Sequence, residues 1–120
     1  TRLLVGAYGK DAVYIFNYTA AAGNWVEEAK LVSSESSYYF GYAVAGLDEN
    51  TALVGDYSAY DSSGSIYGAG AIFVHRRDVA GSWPLAQRIE ASNAQSWSGD
   101  GYAYFGKALS DLGGSEGFVA

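Results

Sequence analysis

Internal repetition constrains the fold of this chain more than any other feature of its sequence. Six residues from Phe40 match six from Phe105, and eight residues from Asn24 match eight from Ser82, at offsets of 65 and 58. Offsets that vary while the order of the segments is kept indicate constant strands joined by variable loops. Two shorter matches share that order: Leu4-Val5-Gly6 with Leu53-Val54-Gly55, and Ala12–Phe16 with Ala71–His75.

Each repeat holds four short apolar segments separated by Gly, Ser, Asn and Asp. The chain is rich in Gly, Tyr, Val and Ala and has a single Pro, a composition that suits pleated strands and tight turns. We therefore expect an all-β fold of four-stranded antiparallel sheets, each one a β-propeller blade, and not a helical solenoid. The predicted strands are Leu3–Ala7, Ala12–Tyr18 and Trp25–Val32, then Tyr39–Leu47, Thr51–Asp56, Ala69–Arg76 and Trp83–Glu90, then Tyr104–Leu109.

The strand pattern divides the chain into about two repeat lengths. Residues 1–35 are a partial blade with strands 2 to 4, residues 36–92 a complete blade, and residues 93–120 the start of a third, with a second strand at Phe118–Ala120. A closed propeller takes about four to eight blades. The chain is therefore expected to be an incomplete propeller, either a fragment of a longer polypeptide or a subunit that associates with other copies.

The repeated residues resemble the FG-GAP repeat, the unit of the integrin α-chain propeller. Phe40-Gly41 and Phe105-Gly106 supply the Phe-Gly pair, and Leu53–Asp56 stands where the family has its leucine-valine-glycine-alanine run. Gly70–Val74 is similar to the following glycine-alanine-x-tyrosine-valine strand. The resemblance implies an extracellular or cell-surface module with a structural or adhesive role, whose partners are other protein chains or the remaining blades of the same polypeptide.

Glycines and large aromatic residues of the repeat have a structural interpretation. Gly41 and Gly106 follow a large aromatic residue where neighbouring blades would pack closely, and Gly6 and Gly55 end strands where no side chain fits. Four aromatic residues are expected to fill the space between adjacent sheets: Phe40, Phe105, Trp25 and Trp83.

Catalysis is not expected. His75 is the only histidine and lies in a predicted strand without a Ser or Asp motif beside it, so we interpret it as a packed or surface residue. Glu27 and Glu28 are adjacent in a strand and therefore point to opposite faces, which excludes a carboxylate pair across a cleft. The chain has no cysteine, and hence no thiol nucleophile or thiolate metal site.

Charge and hydropathy exclude two classes of partner. The formal charge is −6 and no stripe of Lys or Arg could follow a phosphate backbone, so nucleic acid binding is not expected. No run approaches the about 20 apolar residues of a membrane-spanning helix. Some FG-GAP repeats carry a calcium loop after their first strand, but Asp48-Glu49-Asn50 and Asp111–Glu116 lack the alternating oxygen ligands that calcium needs. A hairpin turn is favoured there, with calcium as the weaker alternative, and no other cofactor or metal is expected.

Exposed aromatic residues are the candidate ligand or interface residues. Tyr57, Tyr60 and Tyr67 flank a long loop, while Trp97 and Tyr102 precede the third blade. Rings with a polar tip suit protein interfaces and sugar binding, so a carbohydrate-binding propeller stays open as the alternative function. Separately, Asn17-Tyr18-Thr19 is an N-glycosylation triplet, which predicts a glycan on Asn17 at the start of a surface loop.

Overall fold

Two antiparallel sheets form the fold in the computed structural model, which describes residues 1–92 and 103–111. The first sheet has three strands in the order β1-β2-β3, and the second has four in the order β4-β5-β6-β7. This arrangement confirms the all-β fold built from incomplete propeller blades. Within these residues, no helix is long and apolar enough to cross a membrane. The strands are β1 Arg2–Ala7, β2 Ala12–Thr19, β3 Asn24–Val32, β4 Ala43–Asp48, β5 Thr51–Asp56, β6 Ala71–Arg76 and β7 Leu85–Ile89.

The first strand of the second sheet begins later than predicted, at Ala43 and not at Tyr39. The intervening residues form a turn, in which the Tyr42 N–H donates to the Tyr39 carbonyl at 3.0 Å. Gly41 has a φ of 89°, a left-handed conformation that an extended strand cannot contain. The Phe-Gly pair therefore marks a turn before the strand.

Other predicted strands are shorter in the structure. β6 begins at Ala71 and β7 at Leu85, directly after Pro84, which has no N–H to donate to a ladder. In the segment 103–111, the predicted strand Tyr104–Leu109 is reduced to a single parallel bridge between Phe105 and Gly70. The second strand predicted at Phe118–Ala120 lies outside the described residues.

One hydrophobic core lies between the two sheets. Phe40 comes from the turn that links them, is fully buried, and places its ring 5.4 Å from the ring of Phe73. Trp83 is 7% exposed in the same core, whereas Phe105, at the position equivalent to Phe40, is only half-buried. The first sheet contributes Val13, Ile15 and Leu31, and the second contributes Ala52, Val54, Ala71, Phe73 and Trp83.

Glycine pairs bring the backbones of successive repeats together. A Cβ atom on Gly6 would overlap the carbonyl oxygen of Gly41, and one on Gly55 would overlap that of Gly106. Gly41 and Gly106 also share a φ of 89°. The same close approach therefore recurs at two junctions, and at both of them it requires glycine.

A β-bulge recurs as well, in the last pair of strands of each sheet. Residue 28 is the extra residue between β2 and β3, since Ile15 pairs with Ala29 and Phe16 with Glu27. Residue 86 is the extra residue between β6 and β7. The two bulges are 58 positions apart, as are the matching sequence segments. Bulges re-aim side chains locally, and the one in the first sheet carries Glu28.

Candidate interaction surfaces

One face of the first sheet exposes large apolar side chains. Leu4 and Leu31 pack on the core between the sheets, so the residues that alternate with them point the other way. Leu3 is 44% exposed and Trp25 is also 44% exposed. We call this surface the outward face and define it by Leu3, Val5, Tyr14, Phe16, Tyr18, Trp25, Glu27, Lys30 and Val32.

The outward face matches, position by position, the face of the second sheet that is buried against the first. The buried residues Ala52 and Val54 follow Leu3 and Val5 at an offset of 49, and Trp83 follows Trp25 at 58. Phe73 and His75 follow Tyr14 and Phe16 at 59, and both are buried. The same repeat surface is thus covered in the second sheet and uncovered in the first.

This difference corrects the expectation for Trp25. Trp83 packs against the first sheet, but no sheet in the described part of the chain lies on the corresponding side of Trp25. The Trp25 ring instead meets the edge of Tyr18, with ring centroids 5.5 Å apart. Its exposure follows from its place on the outward face, which no sheet of the described residues covers.

The free edge of β1 adjoins the outward face. Within the described residues, β1 pairs only with β2, whereas its equivalent β5 pairs with both β4 and β6. Along that edge of β1, the backbone N–H and C=O groups have no ladder partner among the described residues. Such an edge can accept a further strand.

An ionic cluster joins the opposite face of the first sheet to the second sheet. Glu28 accepts hydrogen bonds from Arg2 and Arg77, both at 2.7 Å, and from the Trp83 indole N–H at 3.4 Å. Burial alone would raise the pKa of Glu28, but these donors outweigh it and hold the pKa below its ordinary value. The Arg2 guanidinium also lies 5.7 Å from the Trp83 ring.

A row of tyrosines crosses both junctions between repeats. Tyr8 and Tyr57 follow β1 and β5, and each meets the tyrosine that precedes the next Phe-Gly pair: Tyr8 meets Tyr39 at 5.9 Å, and Tyr57 meets Tyr104 at 5.2 Å. Tyr57 also stacks on Tyr39 at 4.7 Å. We define the tyrosine row by Tyr8, Tyr39, Tyr42, Tyr57 and Tyr104.

Tyr57 lies at the centre of this row, so it is not a freely exposed loop residue. Burial, followed by the neighbouring Tyr39, raises the pKa of Tyr57 to about 12. Lys107 takes the repeat position of Tyr42, and its ammonium lies 5.2 Å from the Tyr57 ring and 4.9 Å from the Tyr104 ring. The repeat matches could have revealed the row, because a tyrosine follows the second strand in both repeats.

The long loop is organised by Asp61. Its carboxylate accepts hydrogen bonds from the Ser63 hydroxyl at 2.5 Å and from the N–H groups of Ser65 and Ile66 at 2.9 and 2.8 Å. The Ser63 bond, followed by that of Ile66, lowers the pKa of Asp61. The rings of Tyr60 and Tyr67 meet edge to face, with centroids 5.3 Å apart. Tyr60 is nevertheless 39% exposed.

A polar cleft of about 450 Å³ lies beside this loop, between it and the segment that leaves the first sheet. Arg88 in its wall is already bound by Glu35 and Glu90, each at 2.6 Å, and by the Tyr60 carbonyl. These contacts raise the pKa of Arg88, with the Glu35 bond as the largest cause. The charged groups that line the cleft therefore already hydrogen-bond one another.

Three further residues were candidates from the sequence: Asn17, Trp97 and Tyr102. Asn17 lies inside β2, paired with Arg2 and Val26, and not at the start of a loop, because β2 runs on to Thr19. Glycosylation of Asn17 stays a prediction. Trp97 and Tyr102 lie outside the described residues.

His75 is buried in the core. Its Nδ1–H donates to the Trp83 carbonyl at 3.0 Å, since a carbonyl can only accept. Burial lowers the pKa of His75 below its ordinary value, although this hydrogen bond opposes the shift. Its imidazole therefore takes part in packing and is held in one orientation.

The turn at Asp48 is a hairpin between β4 and β5. The Asp48 carboxylate accepts the Asn50 N–H at 2.7 Å and the Thr51 hydroxyl at 3.1 Å. In residues 1–92 and 103–111, no group of three or more His, Cys, Asp or Glu residues is placed to hold a metal ion. Residues 112–116 of the second candidate loop lie outside the described residues.

Comparison with known proteins identifies one match. A family model described as the FG-GAP repeat matches residues 25–74. The matched stretch begins in β3 and ends in β6, so it is out of phase with the sheets, and it contains Phe40-Gly41. Neither a curated protein nor a solved structure shows a significant match.

Proposed function

Since the chain carries an FG-GAP repeat, we propose that it is a non-catalytic, extracellular β-propeller module that scaffolds an assembly by binding other protein chains. FG-GAP repeats are typical of extracellular proteins, which supports the proposed location. The partners are other chains, or further blades of the same polypeptide, that present an apolar sheet surface.

The outward face carries this proposal. The equivalent face of the second sheet is buried by a neighbouring sheet, and Val54, Phe73 and Trp83 on it are at most 7% exposed. On the outward face, Val5 and Trp25 are 40% and 44% exposed. A contiguous exposed apolar surface of this kind marks an interface in soluble proteins.

The free edge of β1 would also fix how a partner is oriented on the outward face. A partner that covers the outward face could also add a strand to β1, as β4 adds to β5 in the second sheet. Backbone hydrogen bonds at the edge would set the register, and apolar contacts on the face would supply most of the affinity. Together they favour a partner rich in β-structure.

Absence of enzymatic activity is part of the proposal. The chain's single histidine is committed to the core through its bond to Trp83, and Glu28 is committed to Arg2 and Arg77. Neither is free for general acid or base catalysis. A soluble-substrate screen that found turnover abolished by His75→Gln would contradict this part of the proposal.

A second copy of the chain is the simplest probe of the interface, because it presents blade-type sheet surfaces. We expect sedimentation velocity over a broad concentration series to show reversible association of the full chain. Trp25→Asp should shift the chain to monomers by introducing an unpaired charge into the interface. Val79→Asp is the matched control, since Val79 is fully exposed in the loop between β6 and β7. Association that ignores Trp25→Asp would overturn the proposal that the outward face is the interface. A chain that stays monomeric throughout would exclude a second copy as the partner.

Carbohydrate binding is the alternative function, and one observation favours it: tyrosine rings line a small pocket beside Tyr57. Under this alternative, a glycan array would return ligands for the full chain. Loss of those ligands in Tyr60→Ala or Trp97→Ala would show that the residues predicted from the sequence bind the glycan. If the array returned no ligand, the scaffold function would be favoured.

A further inference from the structure

We propose that the pocket between Tyr57, Tyr67 and Tyr104 binds one neutral pyranose ring. The pocket has a volume of about 180 Å³ and is lined by Tyr39, Tyr57, Ser58, Tyr67, Gly68 and Tyr104. It is separate from the outward face, which lies on the first sheet. The inference rests on the carbohydrate-binding alternative, whose site and ligand it specifies. It does not depend on the scaffold function, and either can fail without the other.

The pocket is held rigidly. The Tyr104 N–H donates to the Gly68 carbonyl at 3.1 Å, which fixes the segment 103–111 against the end of the long loop. Tyr57 stacks on Tyr39 with an interplanar angle of 18° and meets Tyr104 at 90°. A rigid aromatic wall binds a ligand with little loss of conformational entropy.

The size of the pocket limits the ligand to a single ring. Pockets for drug-sized ligands measure about 300–1,000 Å³, and this one is smaller. Ser58 also lines the pocket; it is 3% exposed, and its hydroxyl donates to Asp56 at 2.7 Å and keeps its acceptor capacity. A phenol hydroxyl can donate one hydrogen bond and also accept, and those of Tyr57 and Tyr39 already bond each other. The lining thus combines apolar ring faces with hydroxyl groups.

Charge distinguishes a sugar from the other ligand that aromatic pockets bind, a quaternary ammonium group. The Lys107 ammonium already lies over the rings of Tyr57 and Tyr104, at 5.2 and 4.9 Å. A second cation against the same rings would be repelled by it. Among the described residues, no carboxylate lines the pocket itself, and the nearby Asp56 carboxylate already accepts hydrogen bonds from Ser37 and Ser58. A neutral ligand with C–H groups on one face and hydroxyls at its rim fits these conditions better.

The test uses methyl hexopyranosides as probes and tetramethylammonium as the competing cation. We expect saturation-transfer NMR on the full chain to show contact between at least one methyl hexopyranoside and tyrosine ring protons, with a dissociation constant on the order of millimolar. Chemical-shift changes should include the amides of Ser58 and Gly68. Tetramethylammonium should bind more weakly than that sugar.

Two substitutions test whether sugar binding depends on this pocket or on any exposed tyrosine. Tyr104→Ala should weaken sugar binding about tenfold, the loss expected for one stacking ring. Tyr38→Ala is the matched control, because Tyr38 is 67% exposed and does not line the pocket. Tighter binding of tetramethylammonium, absence of any sugar contact with the folded wild-type chain, or equal losses in the two variants would each overturn the proposal. If Tyr104→Ala does not fold, the chemical-shift changes of the Ser58 and Gly68 amides in the wild-type chain still show whether the sugar binds in the pocket.

Discussion

Glu28 is the charged residue through which the first sheet binds the second. Its side chain is 15% exposed and accepts from arginines of both sheets, so removing its charge leaves Arg2 and Arg77 without their main acceptor. We expect Glu28→Gln to lower the free energy of unfolding by about 2 kcal/mol, measured by urea denaturation near neutral pH. Glu27→Gln provides the control: the neighbouring carboxylate is exposed, and its loss should change stability by no more than about 0.5 kcal/mol. Equal effects of the two substitutions would show that the cluster does not hold the sheets together.

His75 predicts a pH dependence of stability at the same scale. Its folded-state pKa is lowered, so the unfolded chain takes up a proton at about pH 6.5 that the folded chain does not. Stability is therefore fully present above about pH 6.5 and falls as the pH drops towards the folded pKa, by up to about 1.4 kcal/mol per pH unit. Carboxylates with lowered pKa values, such as Glu28, add their own loss only from about pH 4.5 downwards. Denaturant midpoints measured between about pH 7 and about pH 5 should fall for the wild type and stay nearly level for His75→Phe, which installs the residue found at the equivalent Phe16. A slope that survives the substitution would assign the effect to another group.

Strand β5 shows how the backbone of the next repeat limits which residue a strand can carry. Gly55 is the penultimate residue of β5 and lies where the backbone of Gly106 passes, so a methyl group there would strike the Gly106 carbonyl. We expect Gly55→Ala to cost about 2–3 kcal/mol of unfolding free energy and to shift the amide resonances of 103–111, since backbone must move. Gly46→Ala, in the neighbouring strand β4, places its methyl group at ordinary contact distances of 3.9 Å or more and should be nearly neutral. A neutral Gly55→Ala would mean that 103–111 does not pack as the structure places it.

Phe40 joins the two sheets into one cooperative unit at the scale of the whole molecule. Its ring lies in a core to which both sheets contribute, so Phe40→Ala should cost about 3–5 kcal/mol, a large share of the about 5–15 kcal/mol expected for a small domain. Phe105→Ala, at the equivalent but half-buried position, should cost less. Thermal unfolding of the wild type, followed by calorimetry and circular dichroism, should give one coincident transition. Two separated transitions would show that the sheets unfold independently and that Phe40 does not couple them.

Much of the fold could be predicted from the sequence because the repeat encodes it locally. Alternating apolar residues place β1, β2, β3 and β5 within a residue or two, and the Phe-Gly pairs mark where each new repeat begins. Ends that depend on backbone conformation were placed less well: Gly41 and Pro84 shorten β4 and β7 through a positive φ and a missing N–H.

The candidate surfaces depended on tertiary structure. The sequence by itself determined that Trp25 and Trp83 occupy the same repeat position, although Trp25 lies in β3 and Trp83 just before β7. Only the packing of the sheets decided that Trp83 is buried and Trp25 exposed, because burial is a property of what lies across the sheet and not of the strand that carries the residue. Likewise, Tyr39, Tyr57 and Tyr104 are spread over 66 positions of the chain, and they meet only because the glycine pairs bring consecutive repeats into backbone contact.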